Sequence, residues 1–168
     1  AAIATKFVDN DFAYATRGAN IALYILKEFN LTPAEAKKLT VLDYGCGTGR
    51  ATAFLSIIFG KSIGYDPNVH CIAEGVKENK KSDFDPKNFV LTSSWDDVPT
   101  CDIAFSTNVI EHLTDQDANI MIDNLKAKVK GKTLLWYAPL HNTMLKQYLD
   151  ETTWSVKENA AIAGGRVL

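Results

Sequence analysis

The chain is short of several things, and each shortage removes a class of function. It has 3 cysteines in 168 residues. Cys46, Cys71 and Cys101 lie far apart, with no Cys-x-x-Cys spacing. Neither a zinc site nor a disulfide framework is expected, so no metal is assigned and reduced, intracellular thiols are the default. No apolar run reaches membrane-spanning length. No secretory leader is recognisable at the start. A cytoplasmic protein without a membrane partner is therefore expected. Charge of one sign is also missing: 18 Lys and Arg face 20 Asp and Glu, for a net charge of -2. Nothing draws the chain to nucleic acid in general. Lysines do gather at Lys126, Lys128, Lys130 and Lys132, which reads as a solvated helix end favoured by the macrodipole, with a polyanion contact as the alternative. There is no internal repeat, low-complexity segment or linker, and the length suits one domain with a continuous core.

What is present is an alternation of short apolar runs and helical patterns. Residues from about Asp9 to Asn30 read as a helix, with Phe12, Ala15, Ala19, Ala22, Leu23 and Leu26 at helical spacing. Thr32-Pro33-Ala34-Glu35 is a capping-box pattern with proline at the first helical position. Strands are expected at Val41–Tyr44, Ser62–Tyr65, Asn88–Thr92, Asp102–Ser106 and Thr133–Ala138. Between them lie a helix from Arg50 to Phe59 closed by Gly60, one opened by Pro67 and running to about Asn79, and one from Thr114 to Lys130. Thr114 caps the last, Gly131 ends it, and Ile120, Met121, Leu125 and Val129 are its expected apolar stripe. Beyond Pro139 a short helix at Leu145–Leu149 and strands near Trp154–Val156 and Arg166–Leu168 are weaker patterns.

Short apolar strands separated by helices imply an α/β, doubly wound, mainly parallel sheet with helices on both faces. Right-handed crossovers then bring the strand ends to one edge, where ligands bind at the point of reversed strand order. The features of that edge are Val41-Leu42-Asp43-Tyr44-Gly45-Cys46-Gly47-Thr48-Gly49 and the acid Asp66 after Ser62–Tyr65. Glycines permit unusual backbone angles and close approach of a ligand. An acid at the tip of the next strand is a ribose-binding arrangement. The spacing is Gly-x-Gly-x-Gly rather than the Gly-x-Gly-x-x-Gly of dinucleotide enzymes. No Lys-Ser or Lys-Thr pair directly follows the glycines, since Gly49 is followed by Arg50-Ala51, which excludes a triphosphate loop.

The run Val41–Gly49 resembles the first motif of the class I (Rossmann-like) S-adenosylmethionine-dependent methyltransferases. Further support comes from Ile63-Gly64-Tyr65-Asp66, Cys101-Asp102-Ile103-Ala104-Phe105-Ser106, Asn108-Val109-Ile110-Glu111-His112-Leu113 and Gly131-Lys132-Thr133-Leu134-Leu135. Order and spacing fit from roughly Val41 to Ala138. The resemblance implies S-adenosyl-L-methionine as cofactor and S-adenosyl-L-homocysteine as product. It implies one domain over residues 1–168: N-terminal helices over 1–40, a cofactor-binding core over 41–138, and an acceptor-side end over 139–168. The family's sheet closes on an antiparallel strand pair, so such a pair is expected here, with its last strand clipped at Leu168.

The resemblance also implies roles. Asp43 organises the turn and helps hold the cofactor's ammonium group. Gly45, Cys46 and Gly47 line the methionine moiety. Asp66, with Pro67 beside it, accepts from both ribose hydroxyls. Ser94 stands where the family often has an acid that accepts from the adenine amino group. Trp95 either covers the adenine, offers its backbone amide, or packs in the core. Arg17 in the first helix, beside the small Gly18, is a partner for the cofactor carboxylate, with a surface arginine as the alternative. Asn108, Tyr137, Pro139 and His141 are expected over the tips of the fourth and fifth strands.

The expected activity is methyl transfer to a nucleophilic O, N or S of a small-molecule acceptor. No catalytic residue is assigned; His112 and His141 are weak candidates for a base, with His112 favoured as structural and His70 as exposed. Ser106-Thr107-Asn108-Val109 replaces the Asn-Pro-Pro-Tyr or Asp-Pro-Pro-Tyr of DNA amino-methylating enzymes, and no Pro-Cys pair supplies a cytosine-attacking thiolate. Cys101 reads as a small buried residue. Two alternatives remain: a cofactor-binding protein without transfer activity, acting as a sensor or partner-dependent subunit, and a methyltransferase of RNA or protein. Oligomeric state is open, a dimer that completes the acceptor pocket included.

Overall fold

The computed structural model describes residues 11–79, 87–137 and 154–158, with side chains described for residues 18–79 and 87–135. The described elements are helix α1 (Asp11–Glu28), α2 (Pro33–Ala36), strand β1 (Thr40–Tyr44), α3 (Arg50–Ile58), β2 (Lys61–Tyr65), α4 (Val69–Asn79), β3 (Phe89–Thr92), β4 (Ile103–Thr107), α5 (Asp115–Lys128), β5 (Thr133–Tyr137) and β6 (Trp154–Glu158). Single 3-10 turns span Trp95–Asp97 and Ile110–His112.

The strand order is β3-β2-β1-β4-β5-β6. The chain steps outward from β1 to β3, then returns to the other side of β1 with β4. The reversal therefore falls between β1 and β4, whose parallel register sets Val41 beside Ile103 and Asp43 beside Phe105. The central strands are buried at consecutive positions, and their alternating side chains fill two cores. Val41, Ile103, Phe105 and Leu134 point to one face, with Ile21, Ile25, Leu55 and Phe59 from α1 and α3. Leu42, Tyr44, Ile63, Tyr65, Ala104 and Leu135 point to the other, with Met121, Ile122 and Leu125 from α5. This is the doubly wound arrangement, with both faces of a parallel sheet covered.

Two helix starts follow their caps. The Thr32 hydroxyl accepts from the Glu35 amide at 3.2 Å, and Glu35 Oε2 accepts from the Thr32 amide at 2.8 Å. The Thr114 hydroxyl accepts from the Asp117 amide at 3.2 Å.

Elsewhere the structure corrects the sequence pattern. Pro67 does not open α4. The Asn68 side chain accepts from the amides of His70 and Cys71 instead, and the helix begins at Val69. In α1, among the described side chains, the buried apolar residues are Ile21, Ala22 and Ile25, while Ala19 and Leu23 are exposed. In α5, Ile120 is exposed and Ile122 takes its place. Positions 118, 121, 122, 125 and 129 form one stripe at helical spacing, and 120 falls outside it.

The expected antiparallel ending is also corrected for the described residues. β6 pairs with β5 in parallel, Thr133 beside Trp154 through Tyr137 beside Glu158. Residues 138–153 are long enough for the crossover that a parallel pair requires. The expected helix at Leu145–Leu149 and strand at Arg166–Leu168 lie outside the described residues. No described helix is long and apolar enough to cross a membrane.

Candidate cofactor site

The carboxyl ends of β1 and β2 are joined by the glycine loop. The amides of Gly45 and Cys46 both donate to the Tyr65 carbonyl, at 2.7 and 3.0 Å. The Gly47 amide donates to Asp66 Oδ2 at 2.9 Å, and the Asn68 amide donates to Asp66 Oδ1 at 2.9 Å. Both oxygens of the half-buried Asp66 thus meet backbone N–H groups.

Gly45 and Gly47 have φ of +80° and +57°, angles that cost an L side chain. They differ in their surroundings. A Cβ on Gly45 would lie 2.3 Å from Val109 Cγ2, whereas one on Gly47 would meet nothing within 4 Å. Gly47 therefore borders open space, and Gly45 is the seat of Val109. Val109 reaches that seat because Asn108 at the tip of β4 takes a left-handed φ of +53°, an uncommon conformation that Asn tolerates better than most residues.

Asp43 is buried on the α3 face, 4% exposed, and Oδ2 accepts from the Thr52 hydroxyl at 2.6 Å. Cys46 lies beside the two acids. Burial, and then the charges of Asp43 and Asp66, push its thiol well above the ordinary range, so it is no thiolate nucleophile. Cys101 is fully buried, and its thiol is pushed up to about 11.

Beyond β3, Ser94 is exposed and makes no capping bond with its side chain. The Trp95 ring packs against Tyr65 at 5.1 Å and Tyr44 at 5.5 Å between centroids. Of the three readings of Trp95, core packing accounts for the ring. Pro67 is exposed beside Asp66, and His112 is exposed in the turn Ile110–His112. Arg17 belongs to α1, its side chain outside the described set. Its neighbour Gly18 serves a helix contact: a Cβ there would lie 2.6 Å from Phe54 Cβ of α3. Tyr137 is described as backbone in β5 only, and Pro139 and His141 lie outside the described residues.

Several contributors escaped sequence reasoning. Thr52, Val109 and Asn68 hold the loop and Asp66. Leu91 of β3 fills the hollow bounded by Gly49, Gly64 and Gly75, with built Cβ atoms 2.3 to 2.9 Å from its methyl carbons. Gly64 and Gly75 were legible only as glycines inside a strand and a helix, a mark of close approach. Lys128, which the charge run reads as part of a solvated helix end, instead donates to the Trp95 and Val98 carbonyls at 2.6 Å each. Among the described residues no group of three or more His, Cys, Asp or Glu side chains is placed to hold a metal.

A parallel sheet whose glycine loop is tied to a carboxylate beside its switch point defines a nucleoside-binding fold of the Rossmann-like class. The sequence model of the methyltransferase-domain family matches residues 17–161. The chain belongs to that family, and its fold is that of the class I S-adenosylmethionine-dependent methyltransferases.

Solved structures of similar fold include the magnesium protoporphyrin IX methyltransferase of Synechocystis PCC 6803, solved with bound SAM. That match has 17% identity and a TM-score of 0.62, and covers 80% of this chain and 64% of the other. TehB from Haemophilus influenzae is 22% identical with a TM-score of 0.51, over 74% of this chain and 53% of its own. A coclaurine N-methyltransferase bound to N-methylheliamine and SAH is 14% identical with a TM-score of 0.52, over 70% and 34%. The chain thus spans less than two thirds of the length of each. No curated protein matches it.

Proposed function

We propose that this chain binds S-adenosylmethionine at the β1–β2 edge and transfers its methyl group to a nucleophilic O, N or S atom of a small molecule. The observation that carries the reading is the Gly47–Asp66 hydrogen bond, which ties the loop after β1 to the tip of β2 beside the sheet's switch point. It holds an ionisable carboxylate beside a loop bordered by open space at Gly47. The residues fit the cofactor's parts. A carboxylate has about four acceptor positions, and Asp66 uses only one amide contact per oxygen, which leaves capacity for the two ribose hydroxyls. Pro67 forms the rim beside them.

The backbone of Gly45, Cys46 and Gly47 lines the methionine portion, and the buried charge of Asp43 draws its ammonium group. Ser94, whose hydroxyl is not spent on capping, accepts from the adenine amino group. Trp95 contributes its backbone amide, since the ring is committed to Tyr44 and Tyr65. Arg17 pairs with the cofactor carboxylate, and Asn108 borders the acceptor at the tip of β4.

When bound, the cofactor supplies a methyl group already activated on a sulfonium. The chain's task is then to align the acceptor and keep water out. A base is required only for acceptors that lose a proton near the transition state; His112 and His141 are the candidates. The whole of residues 1–168 is proposed as one unit. A small acceptor is supported by two proteins of like fold that are named for small molecules, magnesium protoporphyrin IX and coclaurine.

The test is transfer of tritiated methyl to separate pools of metabolites, RNA and protein. Label in the metabolite pool, lost on Asp66→Ala, is the expected result. Label in RNA or protein alone would replace the acceptor class. Tight cofactor binding without label in any pool would make the chain a binder or partner-dependent subunit.

A further inference from the structure

The turn after β3 is held from below by a charge that the methyl-donor site does not contain. Lys128, the last residue of α5, donates from Nζ to the carbonyls of Trp95 and Val98 at 2.6 Å each and of Asp96 at 3.4 Å. The same ammonium lies 4.9 Å from the centroid of the Trp95 ring. The turn has further ties: the Val98 amide donates to the Trp95 carbonyl at 3.1 Å, and Val98 is buried. These contacts secure its carbonyl side and its ring. Its opposite end is Ser94, exposed and without a side-chain cap. A charge-assisted bond to a carbonyl is stronger than a neutral one, and three converging on one short turn fix its height and tilt against α5.

We propose that Lys128 is a positioning residue for adenine recognition: it holds the Trp95–Val98 turn so that Ser94 and the Trp95 amide meet the adenine edge. The proposal rests on the methyl-donor reading above. Lys128 touches no part of the ligand; it acts through the turn. Lys126 on the same helix is exposed and has no role here.

The experiment is calorimetric titration of the full chain with S-adenosylhomocysteine and with S-inosylhomocysteine, in which the adenine amino group is replaced by a carbonyl oxygen. The unaltered protein is expected to prefer the adenosyl ligand. Lys128→Met should weaken adenosyl binding about tenfold, the effect of one misplaced polar contact, while changing inosyl binding little, so that the preference shrinks. Lys128→Arg, which keeps the charge and several donors, should restore part of it, and Lys126→Met should change nothing. Lys128→Gln, with a single amide donor group, carries the same comparison if the methionine variant folds poorly.

Equal weakening of both ligands would assign Lys128 a merely structural role and overturn the proposal. Unchanged adenosyl binding in Lys128→Met, with weakened binding in Ser94→Ala, would overturn it alone. No binding of either nucleoside by the unaltered protein would overturn the methyl-donor reading beneath it.

Discussion

The Gly47 amide donates to Asp66 Oδ2 at 2.9 Å, across 19 residues of sequence. That bond makes one unit of the loop after β1 and the tip of β2. Cys46, next to Gly47, is also tied to β2 through the Tyr65 carbonyl. The loop therefore has its shape before any ligand contacts it, which lowers the ordering cost of binding.

The glycines of the loop should not tolerate substitution equally. Gly45→Ala forces a left-handed alanine and drives its methyl into Val109, an expected cost of about 2–4 kcal/mol. Gly47→Ala meets open space and should cost about 1–2 kcal/mol for backbone strain alone. Urea unfolding measures both. Adding Val109→Ala should recover part of the Gly45→Ala loss and none of the Gly47→Ala loss. Equal costs for the two alanines would mean that Val109 is not seated on Gly45.

Ser106 of β4 is 2% exposed, and its hydroxyl has no hydrogen-bond partner among the described residues. A buried, unsatisfied hydroxyl is a standing cost. Ser106→Ala should therefore stabilise the fold by about 1 kcal/mol, read as a higher midpoint in thermal or urea unfolding. A loss of stability on that substitution would show that the hydroxyl is bonded.

Tyr44 and Tyr65 give the fold an alkaline limit. Burial raises both phenols above their ordinary value of 10.0; for Tyr44 a side-chain hydrogen bond with Asn124 opposes the rise, while for Tyr65 the charge of Asp66 adds to it. A raised folded-state pKa means that the folded protein holds its protons longer than the unfolded chain. The stabilisation is thus complete below pH 10 and lost as pH rises through the folded values. Absorbance at 295 nm, compared with that of Tyr44→Phe and Tyr65→Phe proteins, should show these two phenols titrating above their ordinary value, with unfolding free energy falling over the same window. Asn124→Ala should move Tyr44 higher still. Titration of Tyr44 and Tyr65 at their ordinary value would contradict this account of their burial.

Features governed by neighbours in sequence were readable from residues alone. Thr32 with Glu35, Thr114 with Asp117, the glycine loop and the acid at Asp66 all lie where spacing places them. The misreadings share a cause: a side chain engaged at long range. Pro67 reads as a first helical residue only if Asp66 caps the helix. The Asp66 carboxylate instead turns to the amides of Gly47 and Asn68, and Asn68 becomes the cap. Lys128 reads as solvated until the turn after β3, some thirty residues earlier, is placed beneath it. Trp95 has three readings from sequence, and only the packing of its ring on Tyr44 and Tyr65 decides where the ring goes. The parallel pairing of β6 rests on a crossover whose own pattern is weak, so its direction was not legible.

The measurement that bears most directly on the account is calorimetric titration of the unaltered chain and of Asp66→Ala with S-adenosylmethionine, with NAD as the comparison. The account predicts saturable binding of S-adenosylmethionine by the unaltered protein, a loss of at least about a hundredfold in Asp66→Ala from two charge-assisted hydrogen bonds, and no binding of NAD. Absence of S-adenosylmethionine binding, or equal affinity in the Asp66→Ala protein, would contradict it.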